Sequence, residues 1–167
     1  MIEPCIVMIG APGSGKSTVG DALGRALGEP FTDIDTLIEA KEGTSIADLF
    51  VTRGEPAFRA LEAAETIEAL QRSGIVALGG GAIHNEQIRA ALVGHHVVWL
   101  ECSVSTAVDR IGLNSARPLL LGNVRGTLIK LLAERTPLYR GAATITVATD
   151  GRNADEVVEL VRAELGR

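Results

Sequence analysis

Residues 5–19 read CIVMIGAPGSGKSTV, and the first five decide how the rest is used. CIVMI is short and continuously apolar, as expected of a strand covered on both faces. It runs directly into Gly10-Ala-Pro-Gly-Ser-Gly15-Lys16-Ser17, a complete GxxxxGK[ST] pattern. Glycines let successive backbone N–H groups curl around phosphate oxygens, and the N-terminus of a following helix favours an anion. Lys16 can reach β- and γ-phosphates, and the Ser17 hydroxyl can ligate Mg²⁺. A tight strand-to-helix turn would explain the glycines but not Lys16. The nucleotide-binding set is therefore Gly13, Ser14, Gly15, Lys16, Ser17 and Thr18.

Outward from this run, further short apolar segments fall at 31–34, 75–78, 97–101 and 144–147. Helical patterns lie between them. One runs from the end of the glycine loop to Gly28, and one starts near Ser45 with Asp48 as capping partner. Another spans 56–72, opening on proline and closing before Gly74. Others cover about 86–92, 103–111, 124–139 and 154–165, the last capped by Asn153. Five strands alternating with helices predict a three-layer α/β/α domain with a five-stranded parallel sheet. The stretch 112–126 has no strand pattern, carries Arg117 and Arg125, and reads as a mobile lid at about 112–125.

At 167 residues the chain fits a single domain, 1–167, with no repeat or linker. Its net charge of −5 has no basic block to offset it, which argues against nucleic acid or an anionic membrane as partner. Thirteen of the 16 cations are arginine, the residue suited to bidentate grip on carboxylates and phosphates, although base composition alone can produce that bias. Cys5 and Cys102 sit in apolar runs and read as buried, inert thiols. There is no metal-type Cys/His cluster, no disulfide framework, no membrane-length apolar run and no signal-peptide pattern, so a cytoplasmic protein is expected.

A phosphate loop does not name the acceptor. GTPases need a guanine-reading NKxD motif, absent here, and motor ATPases usually need more chain. The size favours a small-molecule kinase using ATP and Mg²⁺. Asp33 and Asp35 close the second apolar run in FTDID, and strand alternation would put both on one side at its carboxyl end. One carboxylate could orient metal-bound water while the other aligns an acceptor hydroxyl; a helix N-cap is the alternative for either. In PAFRALEAAE, Arg59 and Glu62 form an i, i+3 pair. It is either an ordinary surface ion pair or a pocket arginine aimed by its carboxylate partner.

Taken in order, GAPGSGKST, DID at 33–35, FRALE at 58–62, GGGA at 79–82, RPLL at 117–120 and RTPLYR at 135–140 resemble the shikimate kinase family, of the nucleoside-monophosphate-kinase-like fold. The resemblance spans essentially the whole chain. It implies ATP-dependent phosphorylation of the shikimate 3-hydroxyl by a monomeric phosphate-loop kinase with a substrate-binding helical region at about 34–62. Lys16, Asp35 and Arg117 would be catalytic, with Asp35 as base or aligner and Arg117 closing over the phosphoryl group. Asp33 would hold Mg²⁺ through water beside Ser17. Arg59 and Arg135 would grip the shikimate carboxylate, and Phe58, Glu62, Gly79, Gly80 and Gly81 would complete the acceptor pocket. Arg110 would pack on adenine, with Arg152 also on the nucleotide side. The family commonly carries Glu soon after PLY, where this chain has Gly141. His84, His95 and His96 match no catalytic position and read as solvated loop residues.

The second glycine run, 79–81, follows the third strand and is expected to be the floor of the acceptor pocket. Bare backbone there offers N–H groups to a carboxylate and leaves room for a flat ring. A gluconate- or nucleotide-type kinase is the nearest rival. A silent regulatory protein on the same scaffold is a more distant one, which would be expected to lack Lys16, Asp35 or Arg117.

Overall fold

A computed structural model describes residues 2–112 and 123–167. Five parallel strands form one sheet in the order β2-β3-β1-β4-β5: β1 (Ile6–Ile9), β2 (Phe31–Asp33), β3 (Ile75–Ala77), β4 (His96–Glu101) and β5 (Ile145–Ala148). β1 lies at the centre, with Ile6 beside Ile75 on one flank and beside His96 on the other. The chain leaves β1 for β2 on one side and reaches β4 and β5 on the other. The crevice above β1 thus sits where the strand order reverses, the place where open α/β sheets bind ligands.

Alternation along β1 sorts its side chains into two cores. Ile6 and Met8 pack with Val19 and Leu23 of α1 (Lys16–Leu27) and with Val157, Val158 and Val161 of α8 (Ala154–Leu165). Val7 and Ile9 face the opposite layer. That layer holds α2 (Ile34–Glu42), α3 (Ile46–Arg53), α4 (Glu55–Ala69), α5 (Glu86–Ala91) and α7 (Val124–Ala142), through Ile38, Leu49, Phe58, Ile88 and Tyr139 among others. α6 (Val104–Gly112) joins α7 in a smaller cluster of Cys102, Ala107, Ile111 and Leu128. Both cysteines are buried and free. Among the described residues, no helix is long and apolar enough to cross a membrane.

The caps fall where side-chain chemistry places them. Ser45 accepts from Asp48 N at the head of α3, and Asn153 forms a reciprocal capping box with Glu156. Gly20 lets α1 approach β2, because a Cβ there would lie 2.5 Å from the Phe31 ring.

The second strand is shorter than expected. The segment 31–34 is not a strand carrying both aspartates on one side, for β2 ends at Asp33 and α2 starts at Ile34. The Asp33 side chain accepts from Thr36 N at 3.1 Å, capping a helix that begins with no connecting loop. Asp35 therefore projects from the first turn of α2. The last strand is offset by one residue, at Ile145–Ala148, and α7 continues three residues beyond the expected 124–139. The lid stretch falls largely on 113–122, outside the described residues, as does Arg117.

Candidate active site

All five strands release their chain at the same edge of the sheet, and four of those exits build the site. β1 opens into the phosphate loop. Gly13 and Gly15 take left-handed conformations (φ 80° and 94°), which non-glycine residues rarely adopt. α1 begins at Lys16 with no side-chain cap on its N-terminus. Its leading N–H groups and helix dipole thus face the loop, the arrangement that binds phosphate. Lys16 curls back to donate to the Gly10 and Ala11 carbonyls at 2.8 and 3.0 Å. Ser14 is buried, and its N–H donates to Ala11 O at 3.1 Å. Ser17 and Thr18 are exposed in the first turn.

The exit of β2 brings Asp33 to the loop, where the Ser17 hydroxyl donates to Asp33 Oδ2. Two hard oxygen donors thus stand together at the loop mouth, the ligand type that Mg²⁺ takes. No cluster of three or more His, Cys, Asp or Glu that could hold a metal occurs among the described residues. Mg²⁺ requires none, since it keeps waters and substrate phosphates as ligands.

On the nucleotide side, Arg110 from α6 bridges two exits. It donates to the Gly13 and Ser14 carbonyls of the loop and to Thr149 Oγ1, each at 3.2 Å, and to Thr149 O at 3.1 Å. Thr149 directly follows β5 and is itself buried. Arg152 is exposed one turn later and donates to Ala148 O at 2.6 Å. The structure therefore joins Arg110 to the loop backbone in addition to any role beside a base.

The exit of β3 is the glycine run, and its neighbours explain its composition. A Cβ on Gly79 would lie 2.7 Å from Glu62 Oε2 and 3.0 Å from Asp35 Oδ1. One on Gly80 would lie 3.1 Å from Arg135 Nη1 and 3.2 Å from Pro12 Cδ. One on Gly81 would lie 2.6 Å from both terminal nitrogens of Arg59. Each glycine is stripped bare against a charged side chain of the pocket. The space expected for the acceptor alone is edged by the protein's own carboxylates and guanidiniums.

In α4 the Arg59–Glu62 pair is not an ordinary surface ion pair, because Glu62 is only 1% exposed. Arg59 Nη1 donates to Glu62 Oε1 at 2.9 Å, and its guanidinium lies 5.4 Å from the Phe58 ring centre and 6.0 Å from that of Phe50. Arg59 is thus held by a buried carboxylate and aromatic faces. Removing one partner of such a pair typically costs about 3–5 kcal/mol. Burial raises the Glu62 pKa above its ordinary value, Arg59 pulls against that shift, and the charge of Asp35 adds to it.

α7 contributes Arg135, 8% exposed, and Tyr139 one turn on. The Tyr139 hydroxyl donates to Gly80 O at 2.8 Å, and the ring stacks on Trp99 with centres 6.0 Å apart. Burial pushes the Tyr139 pKa up to about 12 against the charge of Arg135, so the phenol keeps its donated proton. Tyr139 escaped the sequence reading although it lies inside RTPLYR, four residues from Arg135. Around Gly141 there is open space, with nothing within 4 Å of a Cβ there.

Two of the three histidines depart from the solvated-loop expectation. His84 sits in a 3-10 turn (Ala82–His84), exposed, with Nε2 accepting from Arg135 Nε at 3.3 Å. His95 Nδ1 accepts from Cys5 N at 2.9 Å. His96 is the exposed first residue of β4.

A doubly wound sheet with a complete phosphate loop and a charged pocket beside it defines a phosphate-loop kinase for small molecules. The shikimate kinase family model matches residues 12–165, and the chain belongs to that family. The shikimate kinase of Thermobifida fusca is 52% identical, over 98% of this chain and 95% of the relative. That of Salinispora arenicola is 48% identical, over 98% and 99%. Among solved structures, Acinetobacter baumannii shikimate kinase in complex with shikimate superposes with a TM-score of 0.92 at 36% identity, over 98% of this chain and 93% of that one. A gluconokinase from Sinorhizobium meliloti, at 24% identity and a TM-score of 0.62, shares the fold alone.

Proposed function

We propose that this protein transfers the γ-phosphoryl group of ATP to the 3-hydroxyl of shikimate, giving shikimate 3-phosphate and ADP on the route to chorismate and the aromatic amino acids. The observation that carries the reading is the packing of two guanidiniums and two carboxylates against the bare backbone of 79–81. Such a pocket suits an acceptor that carries both a carboxylate and hydroxyls. Arg59 and Arg135 bind the carboxylate, a task for planar forks of donors. Gly80 adds a backbone N–H, and Tyr139 holds the carbonyl of the same residue. Phe58 and Glu62 hold Arg59 in place, with Gly79 and Gly81 leaving room for the charged groups.

Asp35 takes the 3-hydroxyl proton as that oxygen bonds to the γ-phosphorus. The bond from phosphorus to the β–γ bridging oxygen breaks, and its electron pair leaves with ADP. The loop backbone at 13–18 and Lys16 bind the phosphates, Arg110 fixes the loop, and Arg152 lies on the nucleotide side. Ser17 and Asp33 hold Mg²⁺, which neutralises phosphate charge when bound. Arg117 is assigned to the transferring phosphoryl group from the sequence alone. Little covalent help is needed, so positioning and charge neutralisation supply most of the rate.

Acceptor-dependent ADP release tests the reading. Shikimate should support turnover, while gluconate and nucleoside monophosphates leave only the background ATPase rate. Turnover with either of those and none with shikimate would overturn it. The same reading makes the chain one kinase domain, 1–167, working as a cytoplasmic monomer.

A further inference from the structure

We propose that His84 is a positioning residue that sets the plane of the Arg135 guanidinium for the acceptor carboxylate. The inference rests on the assignment of Arg135 to the carboxylate clamp. His84 Nε2 accepts from Arg135 Nε at 3.3 Å, which leaves the ring proton on Nδ1. A guanidinium is planar, so an acceptor held on Nε–H fixes the plane in which both terminal nitrogens lie. One of them, Nη1, lies over Gly80.

The acceptor ring is itself anchored. Arg89 of α5 donates to the carbonyls of Ile83 and His84 at 2.8 and 2.9 Å, fixing the backbone of the turn. From α7, Tyr139 donates to Gly80 O at the start of the same segment. The 80–84 stretch is thus held from two helices, with the Arg135–His84 contact at one end and the Tyr139–Gly80 contact at the other.

A histidine suits this place better than a carboxylate would. An Asp or Glu on Arg135 would neutralise the charge that the acceptor carboxylate needs. A neutral imidazole accepts the hydrogen bond and leaves the cation uncompensated. Burial and the neighbouring charge of Arg135 lower the His84 pKa, and Arg59 and Arg89 act in the same sense against Glu134, so the ring stays neutral at physiological pH.

The test compares His84→Ala, His84→Gln, Arg135→Ala and the double variant His84→Ala/Arg135→Ala. The readouts are steady-state kinetics and calorimetric shikimate affinity. An orienting hydrogen bond to a group that binds ground state and transition state alike changes KM and spares kcat. His84→Ala should weaken shikimate binding and raise its KM by about fivefold, with kcat and the KM for ATP within about twofold of the parent. Gln places Oε1 where Nε2 stood and should recover most of the loss. Arg135→Ala should raise the shikimate KM further, and His84→Ala should then add nothing, because contacting residues are not additive. A shikimate KM unchanged in His84→Ala but raised in Arg135→Ala would overturn the positioning role. Equal losses with Ala and Gln, or additive losses in the double variant, would do the same. An unchanged shikimate KM in Arg135→Ala would instead remove the carboxylate clamp itself.

Discussion

The phosphate end of the site comes from one unbroken run, residues 10–18, whereas the acceptor end draws on α2, α4, the 79–84 turn and α7. In the first, the loop's backbone N–H groups are the main binding elements, its glycines free them to turn inward, and Lys16 and Ser17 are the loop side chains that add to them. In the second, charged side chains from distant segments are the binding elements, and the backbone has been reduced to glycine to admit them. Asp33 and Asp35 mark the join. Asp33 faces the loop through Ser17, while Asp35, two residues on, faces the floor at Gly79. If that division is right, perturbations at one end should leave binding at the other intact.

Asp35→Asn is the harshest trial of it. The amide keeps the shape and loses the base, so kcat should fall by at least ~100-fold, the usual scale of acid–base help. ATP affinity, measured by calorimetry, should persist. A parallel loss of ATP binding would show that the two ends are not separable at α2. Gly81→Ala comes next in size. The new methyl would meet the terminal nitrogens of Arg59, the movable end of a long side chain, and not backbone. Displacing that end strains its pair with the buried Glu62 and moves a carboxylate ligand, so the protein should lose stability and the shikimate KM should rise by about tenfold, the usual effect of one imperfect charged contact. The melting temperature should fall, while the KM for ATP should stay near the parent value. Equal rises in both KM values would place the glycine run in the nucleotide site after all.

The same contrast explains what could be read from the chain in advance. The loop was legible because a backbone cradle needs residue types at fixed spacing in contiguous sequence. The sheet was legible because β1 and its partners are buried on both faces and leave uninterrupted apolar runs. A helical region from about 34 and an N-cap among the two aspartates were legible, but the point where strand gives way to helix was not, since the cap comes from the strand's own last residue and no loop composition separates the two. The Arg59–Glu62 pair had the spacing of a surface ion pair, and only the packing around Glu62 distinguishes it. Tyr139 and His84 were invisible for another reason. Each acts on a partner remote in sequence, Gly80 and Arg135, at separations no periodicity reports.

The opposite edge of the sheet offers a control that should disturb neither end. There His95 Nδ1 accepts from Cys5 N, tying the turn before β4 to the segment entering β1. That bond requires an unprotonated Nδ1. Burial, and then the charge of His96, lower the His95 pKa from its ordinary 6.5. The folded state therefore binds fewer protons than the unfolded state once the pH approaches 6.5 from above. Stability conferred by the neutral ring is fully present above 6.5, falls as the pH drops through that value, and stops falling below the lowered folded pKa. His84, shifted in the same direction, contributes in the same window, so the share of His95 must be isolated by substitution. Asn can present Oδ1 where Nδ1 stands and does not titrate. The drop in melting temperature between pH 7.5 and 5.5 should be smaller in His95→Asn than in the parent, by on the order of 1 °C for a partly exposed, screened group. The KM values for ATP and shikimate at pH 7.5 should not move. A pH response unchanged by the substitution would remove His95 as a titrating support of β1, and a shift in either KM would mean that the amino edge of the sheet is coupled to the site above it.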